Sequence, residues 1–168
     1  MKKRLVSAIG FGKGKAADNK TLPMIFAAVS VILLAVVVEI LMRSPVFNIP
    51  VLICGLFIFL VGFAVRTVGY VNLGKQFTLE VKRVPGHRLI KTGIHAYIRH
   101  PMYTGLFMMF IGLCMALQSI AGIVATLVIL VPVGMYRIKV EEEFLIKEFG
   151  SEYKRYMKKT KKLVPFIW

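Results

Sequence analysis

The sequence predicts an all-α fold: a polytopic integral membrane protein of about four transmembrane helices with a basic cytoplasmic pocket. Three observations predict it. The chain is 57% hydrophobic yet carries a formal net charge of +15, more apolar surface than a soluble 168-residue protein hides easily. Its apolar residues fall into four runs of helix length. Its Lys and Arg residues gather in the segments between and beyond those runs, mostly on one side. The length suits one compact unit rather than two domains.

Taken in order, residues 1–23 read as a basic cytoplasmic tail with six basic residues and one Asp. Gly10-Phe11-Gly12-Lys13-Gly14-Lys15 has the glycines of a phosphate loop but not its spacing, and no Ser or Thr follows the Lys. The apolar run after it is too long for a cleaved signal peptide. That run predicts helix one at about 24–42, whose 19 residues nearly match a ~30 Å hydrocarbon core. Its one charge, Glu39, stands near the far end, within reach of water or Arg43. Pro45 and Pro50 break the chain before helix two, about 50–73. Gly55, Gly62 and Gly69 are seven apart and line one face, which predicts close packing rather than chemistry. Arg66 is placed to snorkel or to pair with an acid.

Gly74 to Arg99 is the long polar loop, and a loop of this length in a small chain reads as functional or disordered. Pro85-Gly86 and Thr92-Gly93 mark turns within it. Arg99-His100-Pro101-Met102-Tyr103-Thr104-Gly105 reads as a loop-to-helix junction. Pro101 suits the first helical turn, and the positive end of that helix offers N–H groups to an anion such as a carboxylate. Helix three follows at about 101–118, with Gly105 and Gly112 on one face. A short return at Ser119 leads to helix four, 120–146, with Pro132 as a candidate kink. The last segment, to Trp168, reads as an interfacial tail of lysines interleaved with Phe149, Tyr153, Tyr156, Phe166 and Trp168. Residues 24–168 thus form a single membrane domain. Both termini and the long loop fall on the cytoplasmic side by the distribution of basic residues. Cys54 and Cys114 lie inside apolar runs and read as small buried hydrophobes.

Arg137 and Glu141 are four apart on one helical face, either as an i,i+4 ion pair or as two groups aimed at a ligand. Glu142 and Glu143 read as a solvated face. His87, His95 and His100 have no compact metal-ligand spacing and are crowded by Arg88, Lys91 and Arg99, so no metal is expected. An anionic or zwitterionic cofactor suits that charge. No nucleic-acid motif is present, and the partner implied by the positive charge is the membrane bilayer, where each basic residue near anionic headgroups contributes roughly 1 kcal/mol.

The Arg99–Gly105 heptapeptide, then Gly112, then Glu141-Glu142-Glu143-Phe144-Leu145 and Phe149-Gly150-Ser151-Glu152-Tyr153 closely resemble the isoprenylcysteine carboxyl methyltransferase family, within a wider group that includes phospholipid methyltransferases. The similarity runs over roughly residues 50 to 166. It implies methyl transfer from S-adenosylmethionine at a membrane surface, with S-adenosylhomocysteine as product. The motifs match family cofactor contacts at His87, Arg88, Leu89, Ile90, His100, Pro101, Met102, Tyr103 and Glu141, with further contacts at Glu80 and at His95, where eukaryotic members often have Tyr. Arg137 matches a substrate-binding Arg, which would position a carboxylate. The expected acceptor is a lipidic or apolar small molecule, most of all a carboxylate such as that of an isoprenylcysteine. A phospholipid amine or a small thiol is the nearest competitor; a sterol-type reductase and a non-enzymatic basic scaffold are others. The short chain looks prokaryotic, which would place it in an inner membrane.

Overall fold

The computed structural model describes residues 20–43, 48–81 and 86–164; the tail of residues 1–19, Lys82, Arg83, Phe166 and Trp168 lie outside the described residues. The described chain forms α1 (Thr21–Met42), α2 (Ile49–Leu73), α3 (Pro101–Ala116), α4 (Ile120–Phe149) and α5 (Ser151–Lys159). Single 3₁₀ turns occupy Gly74–Gln76 and Gly93–Ala96. Helices α1, α2 and α4 are long and apolar enough to cross a membrane. Helix α3 has 16 residues, about 24 Å at the usual rise, and falls short of a ~30 Å core. The expected four spans are therefore three of full length and one short helix. Large apolar side chains such as Leu34, Phe57 and Val71 point outward from α1 and α2, uncovered by protein, as lipid-facing residues do.

The glycine faces do what their spacing predicts. A Cβ at Gly55 would stand 2.2 Å from the Ala116 backbone nitrogen, and one at Gly105 would stand 2.5 Å from the Gly62 carbonyl oxygen. Helices α2 and α3 thus meet backbone to backbone along Gly55, Gly62, Gly105 and Gly112. On the other side, Ala28, Ile32 and Val36 of α1 recur every fourth residue and form a core with Phe107 and Cys114 of α3 and Leu130 and Ile138 of α4. Cys114 is buried as expected, whereas Cys54 is exposed on α2. Around Thr126–Leu130 α4 opens into a π turn just before Pro132, which accommodates the proline's missing N–H.

Both short connections lie at one end of the bundle. There the Glu39 carboxylate accepts bonds from Ser119 Oγ (2.5 Å), the Ala121 amide (3.0 Å) and the Ile120 amide (3.3 Å), with Arg43 at 3.7 Å. The intramembrane acid is thus a cap on the positive N-terminus of α4. Asn48 and Gln118 tie the two turns together by reciprocal bonds of 3.1 and 3.0 Å. The long loop, α5 and the following tail gather at the other end. The tail does not trail away: Arg99 and His100 donate their amides to Lys161 O (2.8 Å) and Lys162 O (3.1 Å), and Thr104 Oγ1 donates to Leu163 O (2.8 Å). The segment read as an interfacial tail is, over its described part, a latch folded onto the loop and the start of α3.

Candidate active site

The loop end of the bundle holds a cavity of about 370 Å³, within the usual range for small-molecule sites. Its two halves differ in chemistry. Leu22, Ile25, Phe26 and Val29 of α1 face Leu106 and Phe110 of α3 across an apolar half. The other half is polar and aromatic, built from the loop, the end of α4 and α5.

A three-residue chain stands between the halves. Arg137 Nε donates to the Tyr103 hydroxyl at 2.8 Å, and that hydroxyl donates to Glu141 Oε2 at 3.0 Å. The one-turn spacing of Arg137 and Glu141 thus places them on one face, yet they do not pair directly; a tyrosine from α3 bridges them. Arg137 is buried and also donates from Nη1 to Thr21 Oγ1 (2.7 Å) and from Nη2 to the Leu79 carbonyl. Three of its five N–H donors are so used, leaving two for a ligand. Arg66 of α2 lines the same cavity and donates to Met102 O at 3.0 Å; no described carboxylate lies within ion-pair distance of it. The anticipated anion cradle at the start of α3 is weaker than its sequence suggests, because the Tyr103 and Thr104 amides are both spent on His100 O. Arg137 and Arg66 are cationic side chains of the cavity that could take that role instead.

Glu142 is the clearest correction to the sequence reading. It is 6% exposed rather than solvated, and its carboxylate meets Arg99 Nε (2.9 Å), Lys162 Nζ (3.2 Å) and His100 Nε2 (3.3 Å). Its partners come from the loop and the latch, so no local pattern announces it. Glu143 is exposed, as expected. His100, also buried, stands between the acids, with Nδ1 4.0 Å from Glu141 Oε1.

The loop is pinned from several sides. His95 is 4% exposed, and its Nδ1–H donates to Asn72 Oδ1 at 2.8 Å. Gly93 makes that contact possible: its φ is +58°, and a Cβ there would lie 2.8 Å from the Asn72 side chain. Burial, followed by the nearby His100, pushes the His95 imidazole down to about 4. Gln76 accepts from the Arg88 amide (3.0 Å), and His87 lies against the rings of Phe144 and Phe149. Lys91 pairs with Glu152 of α5 at 2.6 Å. Tyr156 donates to His95 O at 2.6 Å, while the neighbouring Tyr153 turns a buried hydroxyl toward no described partner.

The cavity gathers Glu80, His87, Arg88, Leu89, Ile90, His95, His100, Met102, Tyr103, Arg137 and Glu141, all singled out in the sequence. Pro101 does not line it. It is buried behind the site, where its ring packs 3.0 Å from the position of a Cβ on Gly69. Arg66, Asn72, Glu142, Tyr153 and Tyr156 join the site or its support without having been read from sequence as members of it.

The family model described as the isoprenylcysteine carboxyl methyltransferase (ICMT) family matches residues 52–147. The protein-S-isoprenylcysteine O-methyltransferase of Saccharomyces cerevisiae is 32% identical over 117 residues, 68% of this chain and 49% of the yeast protein. That of Schizosaccharomyces pombe is 34% identical over 108 residues, covering 63% of this chain and 46% of its own length. The rat protein of the same name is 33% identical over 118 residues, 67% and 40% of the two chains. The chain thus spans about half the length of the curated relatives it matches. The solved structure of a eukaryotic intramembrane Ras methyltransferase, ICMT, superposes on 89% of this chain and 54% of its own with a TM-score of 0.66 at 24% identity, a likeness of fold. These relatives are eukaryotic, so they lend no support to the prokaryotic origin that the short chain suggested.

Proposed function

The chain belongs to the isoprenylcysteine carboxyl methyltransferase family, and we propose that it transfers a methyl group from S-adenosylmethionine to the carboxylate of a prenylated cysteine presented from the bilayer. One observation carries this reading: a single cavity joins an apolar half to a polar half, with Arg137, Tyr103 and Glu141 linked at the boundary. The relatives' names set the cysteine on a protein. The acceptor is then the end of a lipidated protein rather than the small molecule the sequence suggested.

The residues present fit the methyl donor. A nucleoside amino acid needs aromatic and apolar walls, an acid for its ammonium, and donors for its carboxylate. Phe144, Phe149, Leu89 and Ile90 supply the walls. Glu141, whose side chain is one-third exposed, supplies the acid, and Tyr103 and His100 hold it in place. His87, Arg88, His95 and Glu80 complete the lining, and Pro101 shapes it from behind. When bound, S-adenosylmethionine supplies the methyl group as a sulfonium electrophile.

Positioning is the chain's contribution to the reaction. A cysteine carboxylate, with pKa near ~3.5, is ionised at neutral pH and needs no general base. Arg137, and beside it Arg66, would fix that anion at the boundary, while the prenyl chain fills the apolar half between α1 and α3. Two guanidiniums favour a carboxylate over a phospholipid amine, which would enter as a cation. A lipid entering between helices would not do so along the α2–α3 glycine seam, where the two backbones are in contact. The site end carries Lys75, Arg88, Lys91, Lys147 and Lys154, whereas Arg43 is the one basic residue of the two short turns, so we place the site and both termini on the cytoplasmic side.

Two measurements on protein purified in detergent test the proposal. S-adenosylhomocysteine should bind, measured by calorimetry. Labelled methyl should pass to an S-farnesylcysteine with a free carboxyl and not to its amide. Absence of binding would overturn the reading, favouring a reductase or a scaffold. Binding with transfer only to an amine or a thiol would replace the acceptor.

A further inference from the structure

Tyr153 is 1% exposed, lines the cavity, and its hydroxyl has no hydrogen-bond partner among the described residues. Its neighbour shows what a satisfied tyrosine looks like in the same helix: Tyr156, 5.8 Å away between ring centroids, donates to His95 O at 2.6 Å. A buried hydroxyl left unpaired is costly, and in a native site it calls for an explanation such as a bound partner. A phenylalanine would fill the same space without that cost.

We propose that the Tyr153 hydroxyl is a further cofactor-binding group, making a hydrogen bond to the bound S-adenosyl methyl donor. This rests on the methyltransferase reading above. Burial, together with the charges of Glu142 and Glu141, pushes the hydroxyl above its ordinary range. It therefore keeps its proton at neutral pH and can donate or accept. Helix α5 reaches the cavity because Gly150, at φ +54°, ends α4 and turns the chain back. The same turn brings Glu152 to Lys91, so the helix that carries Tyr153 is anchored to the loop carrying His87 and Arg88.

The test compares Tyr153→Phe with Tyr156→Phe in the full-length protein in detergent. S-adenosylhomocysteine affinity is read by calorimetry, and ligand-free thermal stability by unfolding. A net hydrogen bond corresponds to about a three- to tenfold change in affinity. Tyr153→Phe should weaken S-adenosylhomocysteine by that factor while the ligand-free protein keeps or slightly raises its melting temperature, since the phenylalanine loses no protein bond. Tyr156→Phe should lower the ligand-free melting temperature instead. Unchanged affinity in Tyr153→Phe, or a melting temperature lowered as in Tyr156→Phe, would overturn the assignment and leave the methyltransferase reading intact. Failure of the unmodified protein to bind S-adenosylhomocysteine would sink that reading itself.

Discussion

Tyr103 is the residue through which Arg137 and Glu141 act as one unit. Its hydroxyl accepts from the guanidinium and donates to the carboxylate, so it ties the two charges to each other, although each also has other neighbours. Tyr103→Phe keeps the ring and removes both bonds. Hydrogen bonds to charged groups contribute about 1.5–3 kcal/mol, so turnover should fall by one to two orders of magnitude. S-adenosylhomocysteine affinity should fall less, because His100 still flanks Glu141; steady-state kinetics beside calorimetry would check the split. His95 leads to a pH prediction. Its folded pKa lies near 4 and its unfolded value near 6.5, so between these the unfolded chain binds a proton that the folded chain refuses. Stability from this group is intact above pH 6.5 and is lost as pH falls toward 4, by on the order of 3 kcal/mol at most. Thermal unfolding from pH 7 to pH 4 should show that loss, and His95→Gln, with nothing to titrate there, should show less of it.

At the scale of the elements, the α2–α3 seam makes the strongest demand on the sequence. A Cβ at Gly62 would lie 2.8 Å from the Gly105 carbonyl oxygen and from the Met109 amide nitrogen, both backbone atoms that cannot swing aside. Gly62→Ala should therefore cost about 1–3 kcal/mol or more by overpacking, seen as a lower melting temperature, whereas Cys54→Ala on the exposed face of the same helix should be nearly neutral. This seam was legible in the sequence because its signal, glycine every seventh residue, is local. Glu142 was not legible for the opposite reason. Its spacing along α4 matches that of a solvent-facing acid, and only the return of Lys162 and the approach of Arg99 bury it. The contacts of the tail were not legible for the same cause: lysines interleaved with aromatics fit a membrane interface, and nothing local shows that Tyr153 and Tyr156 turn inward or that Lys161 pairs with the loop through its backbone. The motif residues of the site were legible from resemblance. That Tyr103 bridges the i,i+4 pair required the crossing of α3 and α4.

At the scale of the molecule, the arrangement of helices would decide where the proposed prenyl chain can lie. Helices α2 and α3 are closed against each other by their glycines, and α1 packs its Ala28, Ile32 and Val36 stripe into the core. The apolar half of the cavity lies between the other end of α1 and α3, with Ile25 and Val29 facing Leu106 and Phe110. A prenyl chain lying there would have its carboxylate at Arg137, so the depth of this cleft should set the chain length accepted. Val29→Trp should shorten it, lowering kcat/KM for a geranylgeranylated cysteine more than for a farnesylated one, and Phe110→Ala should move the preference the other way. Neither residue belongs to the polar half, so S-adenosylhomocysteine affinity should stay the same in both variants, which also reports that each remains folded. If both bind the cofactor product normally and keep the original ratio of the two substrates, the lipid does not occupy this cleft, and the link between Arg137 and the apolar half loses its meaning for the acceptor.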